Sequence, residues 1–148
     1  MNQASNILYV NNAVPHVLFV CVHNAGRSQM AAALFNRHAQ GRAWADSAGT
    51  RPGPRVHPEV VEVMHEIGLD VSAAKPRVLT PELAAGAVRV ITMGCGDECP
   101  VVNAPMEDWG LPDPAGQPLD LVREIRDDID RRVLFLLSEI GSGVVRRS

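Results

Sequence analysis

The chain has 148 residues, 46% hydrophobic and 21% charged: enough for one well-buried domain and too short for two of ordinary size. Its formal charge of −3 argues against a protein that neutralises nucleic-acid phosphates, and three cysteines are too few, and odd, for a disulfide scaffold. Aromatics are 4% of the chain, so the expected core is aliphatic.

Residues 1–15 carry neither a basic region nor a long apolar run, which excludes a signal peptide and reads as an N-terminal arm. No stretch approaches the roughly 18 apolar residues of a membrane span. A cytoplasmic protein with free thiols is expected, and there Cys21, Cys95 and Cys99 point to catalysis or metal binding rather than to structural bridges. His16-Val-Leu-Phe-Val-Cys21 reads as a buried strand, and Ser28 to about Ala39 as a helix. Trp44–Ala48 is a second strand ending at Gly49, followed by the Pro52-Gly53-Pro54 loop. His57-Pro58 opens a helix with Val60, Val63, Met64 and Ile67 as its apolar stripe and Gly68 as its end. Thr80-Pro81-Glu82 caps a short helix reaching Gly86, and Val88–Thr92 is a third strand. Met106–Gly116 reads as loop. Val122, Ile125, Ile129, Val133, Leu136 and Ile140 then step at helical spacing, with Gly141 as the expected stop and 142–148 as a tail.

Strands alternating with helices imply an α/β domain over 16–141, a parallel sheet with helices on both faces. Ligands bind such sheets at strand carboxyl ends, beside helix N-termini. The first such junction is Cys21-Val-His-Asn-Ala-Gly-Arg27-Ser28. A strand delivers Cys21, and a five-residue loop of Val22, His23, Asn24, Ala25 and Gly26 leads to a helix beginning beside Arg27. Such a loop turns successive N–H groups inward as a nest for a tetrahedral oxyanion. Arg27 adds a planar clamp. The helix dipole and the same field favour the Cys21 thiolate, with Ser28 placed to hydrogen-bond the sulfur. Asn24 and Gly26 suit left-handed dihedrals, and His23 reads as shaping the loop rather than acting as a base.

Val17–Ala33 resembles the phosphate-binding loop of the low-molecular-weight protein tyrosine phosphatase fold, and more narrowly the arsenate reductases on that fold. Arg27-Ser28-Gln29-Met30-Ala31 is the reductase-like continuation; the phosphatases usually place Pro after the Ser. Ser47-Ala48-Gly49-Thr50 is similar to the family's second-strand end, where the Ser steadies the loop Asn. Asp108-Trp109-Gly-Leu-Pro-Asp113-Pro114-Ala115-Gly116 resembles the reductases' acid loop. The resemblance covers about residues 16–140. It implies a single three-layer domain with a four-stranded parallel sheet and a phosphate-binding loop after the first strand. It also implies Cys21 as nucleophile, Arg27 as clamp, Asp113 as general acid and Ser47 as loop support. Arsenate is then the substrate, with phosphate and sulfate competing.

Cys95 and Cys99 turn the expectation towards reduction, because a phosphatase needs one cysteine and a reductase needs electrons. The resemblance implies a relay from Cys21 through Cys95 to Cys99, with electrons from thioredoxin and no bound cofactor; mycothiol or another low-molecular-weight thiol is the alternative reductant. Only Gly96, Asp97 and Glu98 separate the last two cysteines, where many thioredoxin-linked members have more. In a helix, residues four apart have Cα atoms about 6 Å apart, so bridging requires an irregular segment, which the glycines permit. The spacing leaves the relay order open. A zinc site would need further Cys or His ligands that the neighbourhood lacks. A phosphatase and a non-enzymatic arsenic or redox sensor are the alternatives. Ala115, not an aromatic residue, follows Asp113-Pro114, which weakens a phosphotyrosine pocket.

Overall fold

The computed structural model describes residues 14–95 and 100–146, with side chains through Ile140. The greater part of the expected arm (1–13), the segment 96–99 with Cys99, and 147–148 lie outside the described residues. Four parallel strands, β1 (His16–Cys21), β2 (Trp44–Gly49), β3 (Arg89–Thr92) and β4 (Met106–Asp108), form one sheet in the order β2-β1-β3-β4. Four helices accompany them: α1 (Arg27–Ala39), α2 (Pro58–His65), α3 (Pro81–Ala84) and α4 (Leu119–Arg146).

β1 is buried along nearly its whole length because both faces of the sheet are covered. Val17, Phe19 and Cys21 point to one face, into the core shared with Leu34 and Phe35 of α1, Val60 and Val63 of α2, and Val122, Ile125, Ile129 and Val133 of α4. Leu18 and Val20 point to the other, against Ala48, Val90 and Ala84 of α3. Burying such side chains is the main stabilising term, at about 25 cal/mol per Å². The chain leaves β1 for β2 on one side and later returns to β3 on the other. Cys21 therefore ends a central strand at the point where the strand order reverses, the usual crevice for a ligand.

Two expectations are corrected. Met106–Asp108, read as loop, is the edge strand β4: Val90, Ile91 and Thr92 pair with Met106, Glu107 and Asp108. All three β4 residues are exposed and carry no alternating pattern, so pairing with β3 alone makes them a strand. Gly141 does not stop the last helix, which continues to Arg146. A glycine inside a helix costs about 1 kcal/mol relative to alanine, too little to end a helix already docked along five turns of apolar contact.

Candidate active site

The loop after β1 turns its carbonyls outward. Cys21 O accepts from Thr50 N–H (3.3 Å), Val22 O from Arg51 N–H (2.8 Å), His23 O from Gly53 N–H (2.9 Å) and Ala25 O from His57 N–H (2.9 Å). Asn24 O accepts from the Gln29 amide at 3.1 Å, and Gly26 O from Met30 N–H at 3.0 Å. With six consecutive carbonyls committed outward, the N–H groups of His23 through Ser28 find no acceptor among the described residues. They form a concave donor surface at the N-terminus of α1, suited to a tetrahedral anion.

Asn24 is the buried keystone of this turn, with φ 51°, in the left-handed region where asparagine is tolerated. Its Oδ1 accepts from Gln29 Nε2 (3.2 Å) and from Arg77 N–H (3.0 Å). Those two donors orient the amide so that its NH₂ donates to Ser28 Oγ at 2.8 Å. Ser28 Oγ lies 2.9 Å from Cys21 Sγ. Because the hydroxyl already accepts from Asn24, its own hydrogen is free to go to the sulfur, the polarity that stabilises a thiolate. Cys21 is a free thiol, 2% exposed.

Gly26 corrects a detail of the expectation. Its φ of −143° is not left-handed. Glycine is required because a Cβ there would stand 2.9 Å from Pro114 Cγ. The acid loop is thus seated directly on the oxyanion loop. Ser47 was expected to steady Asn24 itself. Among the described residues the link runs through Arg77, whose Nε donates to Ser47 O at 3.2 Å while its N–H holds Asn24. Arg77 also pairs with Asp46. Sequence reasoning missed Arg77, because its decisive contact is a backbone N–H that any residue except proline supplies. Gln29 is buried with Arg27 and Ser28 in the first turn of α1, and its spacing, off the stripe of Met30, Leu34 and Phe35, gave no sign of that role.

Arg27 joins three segments. It is 7% exposed, and its Nη1 donates to Leu111 O at 2.9 Å. Its Nη2 lies 3.9 Å from Asp113 Oδ2. Its Nε is buried and without a partner among the described residues, so the Nε–Nη2 edge remains as a fork for an oxyanion. Gly94, with φ +81°, packs so closely that a Cβ would sit 2.6 Å from Arg27 Nη1. Its N–H donates to Asp108 Oδ1 at 3.3 Å, and that same oxygen accepts from Thr92 Oγ1 at 2.6 Å. The segment that follows β3, with Cys95 next to Gly94, is therefore brought to the Arg27 side chain. Cys95 is buried and disulfide-bonded. Asp113 is exposed, with Oδ1 accepting from Ala115 N–H at 3.0 Å. Among the described residues no group of three or more His, Cys, Asp or Glu side chains is assembled to hold a metal ion.

The model of the low molecular weight phosphotyrosine protein phosphatase family matches residues 16–146. A Halobacterium salinarum protein with the provisional name arsenate reductase is 46% identical over 129 residues, covering 83% of this chain and 91% of that one. The glutaredoxin arsenate reductase of a Synechocystis species is 35% identical over 129 residues, 84% of this chain and 98% of that one. Among solved structures, the thioredoxin-dependent arsenate reductase of Corynebacterium glutamicum superposes with a TM-score of 0.76 at 40% identity. That match covers 90% of this chain and 65% of the longer one. The family model spans nearly the whole described chain, and these relatives are similar over most of its length: the chain belongs to the low molecular weight phosphotyrosine protein phosphatase family.

Proposed function

We propose that the chain reduces arsenate to arsenite by a disulfide relay. The observation that carries this reading is the packing of Gly94 against Arg27, because it brings the Cys95-bearing segment to the guanidinium that serves the Cys21 loop. Arsenate binds to the loop N–H groups and to the Nε–Nη2 edge of Arg27. Cys21 Sγ attacks arsenic, and an arsenate oxygen leaves as water with a proton from Asp113. The Cys95 thiolate then attacks Cys21 Sγ. An S–S bond forms, the S–As bond breaks, and its electron pair stays on arsenic, taking As(V) to As(III) as arsenite departs. Cys99 attacks Cys95 and releases the Cys21 thiolate. A dithiol reductant returns the second disulfide to thiols with two electrons.

Thioredoxin is the proposed reductant, in line with the name of the Corynebacterium relative, and the cytoplasm is the compartment proposed for a thiol-dependent enzyme. The Synechocystis relative is named for glutaredoxin, so the assay compares both. Trp109, the aromatic residue of the acid loop, is 4% exposed and packed at 5.6 Å on Phe19, not offered to a phenyl ring. Its burial supports a small oxyanion over phosphotyrosine. The chain with thioredoxin, its reductase and NADPH should show arsenate-dependent NADPH oxidation. Cys95→Ser should abolish it while p-nitrophenyl phosphate hydrolysis survives. Turnover retained by that variant removes Cys95 from the mechanism, and phosphate ester turnover far above arsenate turnover favours the phosphatase reading.

A further inference from the structure

The acid loop is anchored by a residue that the chemistry above does not employ. Asp113 itself is exposed, and its neighbour Pro114 is buried on Gly26. Two residues later Gly116, with φ +70°, donates its N–H to Glu59 Oε2 at 2.5 Å. The turn between them is closed by Gln117 N–H on Pro114 O at 3.1 Å. Glu59 lies in the first turn of α2, two residues after His57, whose N–H donates to Ala25 O at 2.9 Å. His57 Cδ2 also stands 3.5 Å from where a Cβ of Gly26 would be. The start of α2 therefore grips the oxyanion loop with one residue and the acid loop with the next-but-one.

We infer that Glu59 is a positioning residue: its carboxylate holds Gly116, and so sets the reach of the Asp113 carboxyl to an oxyanion seated on Arg27. A carboxylate on a backbone N–H is a charge-assisted bond, stronger than a neutral one. Without it the acid loop keeps its seat on Gly26 but loses its tie beyond Asp113, and proton delivery suffers before binding does. The inference rests on the arsenate-reductase reading for its substrate but not for the contact itself.

Two substitutions and a double-mutant cycle test it. Glu59→Ala should lower kcat for arsenate about tenfold, a fraction of what a general acid supplies, with KM changed less than about twofold. Glu59→Gln keeps an acceptor oxygen for Gly116 and should retain most of the rate. In an Asp113→Asn background Glu59→Ala should add nothing, because the two act as one unit. Amide exchange at Gly116 should accelerate in the alanine variant. An equal loss in the Asp113→Asn background, a loss confined to KM, or unchanged kcat each overturns the inference. If the native chain does not turn over arsenate, the proposed function fails. The same cycle with p-nitrophenyl phosphate, together with Gly116 exchange, then decides the role of Glu59 separately.

Discussion

Ser28 illustrates how much of the site depends on hydrogen-bond direction. Gln29 and Arg77 fix the Asn24 amide, Asn24 fills the acceptor side of the Ser28 hydroxyl, and the remaining hydrogen is left for Cys21. A hydrogen bond to a charged group contributes about 1.5–3 kcal/mol, so Ser28→Ala should cut arsenate turnover by about tenfold to a hundredfold. Steady-state kinetics on the purified variant check this, and a native rate would remove the bond from the mechanism. The Ser28–Cys21 pairing was legible in the sequence because both ends lie on one strand–loop–helix unit. The donors that orient Asn24 were not, since Arg77 arrives 53 residues later through its backbone. The glycine at position 26 was legible as a requirement, but its cause was not. Close approach of Pro114, 88 positions away in the chain, demands it, and no local dihedral preference shows that.

Among the elements, α2 and α4 are clamped by charge as well as by apolar contact. Glu66, just after α2, accepts from Arg123 Nη2 at 2.8 Å and from Arg126 Nη1 at 2.9 Å, while Arg126 also reaches Val63 O at 2.8 Å. The hydrogen bond from Arg123, with Arg126 behind it, holds the Glu66 carboxyl below its ordinary value of 4.5. A carboxylate lowered in the folded state contributes stability that is full above the unfolded value and is lost as pH falls through the folded one. Thermal melts should therefore show Tm falling more steeply below about pH 4.5 for the native chain than for Glu66→Gln. Parallel slopes would mean that the clamp adds nothing to stability. The apolar stripes of both helices could be read from spacing alone, whereas this clamp joins residues 57 or more apart and left no pattern. Strand β4 was equally silent, because three exposed residues acquire their conformation from the ladder with β3.

At the scale of the molecule, the oxyanion loop sits where the sheet reverses, and four of its six outward carbonyls are satisfied by the chain segment 50–57, the other two by Gln29 and Met30 of α1. An anion on the inward N–H groups ties that segment, α1 and the acid loop into one unit. Any ligand that binds only the folded state stabilises it by mass action, by about 2.7 kcal/mol at a hundredfold excess over Kd. For a domain of this size that is a rise of about 5 to 10 °C in Tm. Phosphate or arsenate titrated against thermal unfolding should give such a rise, and Arg27→Ala should lose most of it. An unchanged Tm in the native chain would exclude the loop as an oxyanion site.

The sequence alone determined the parts whose physics is local. Hydrophobic period separated strands from helices, and the spacing from Cys21 to Ser28 placed a thiol, a turn and an arginine on a single unit. The identity of Asp113-Pro114 marked a second segment. Only the tertiary structure decided how these parts meet, namely Gly94 and Leu111 on Arg27, Pro114 on Gly26, and Gly116 on Glu59. Those meetings rest on backbone carbonyls, amide hydrogens and missing Cβ atoms. Almost any residue carries the first two, and many glycines supply the third, so residue types along the chain do not reveal which will be used.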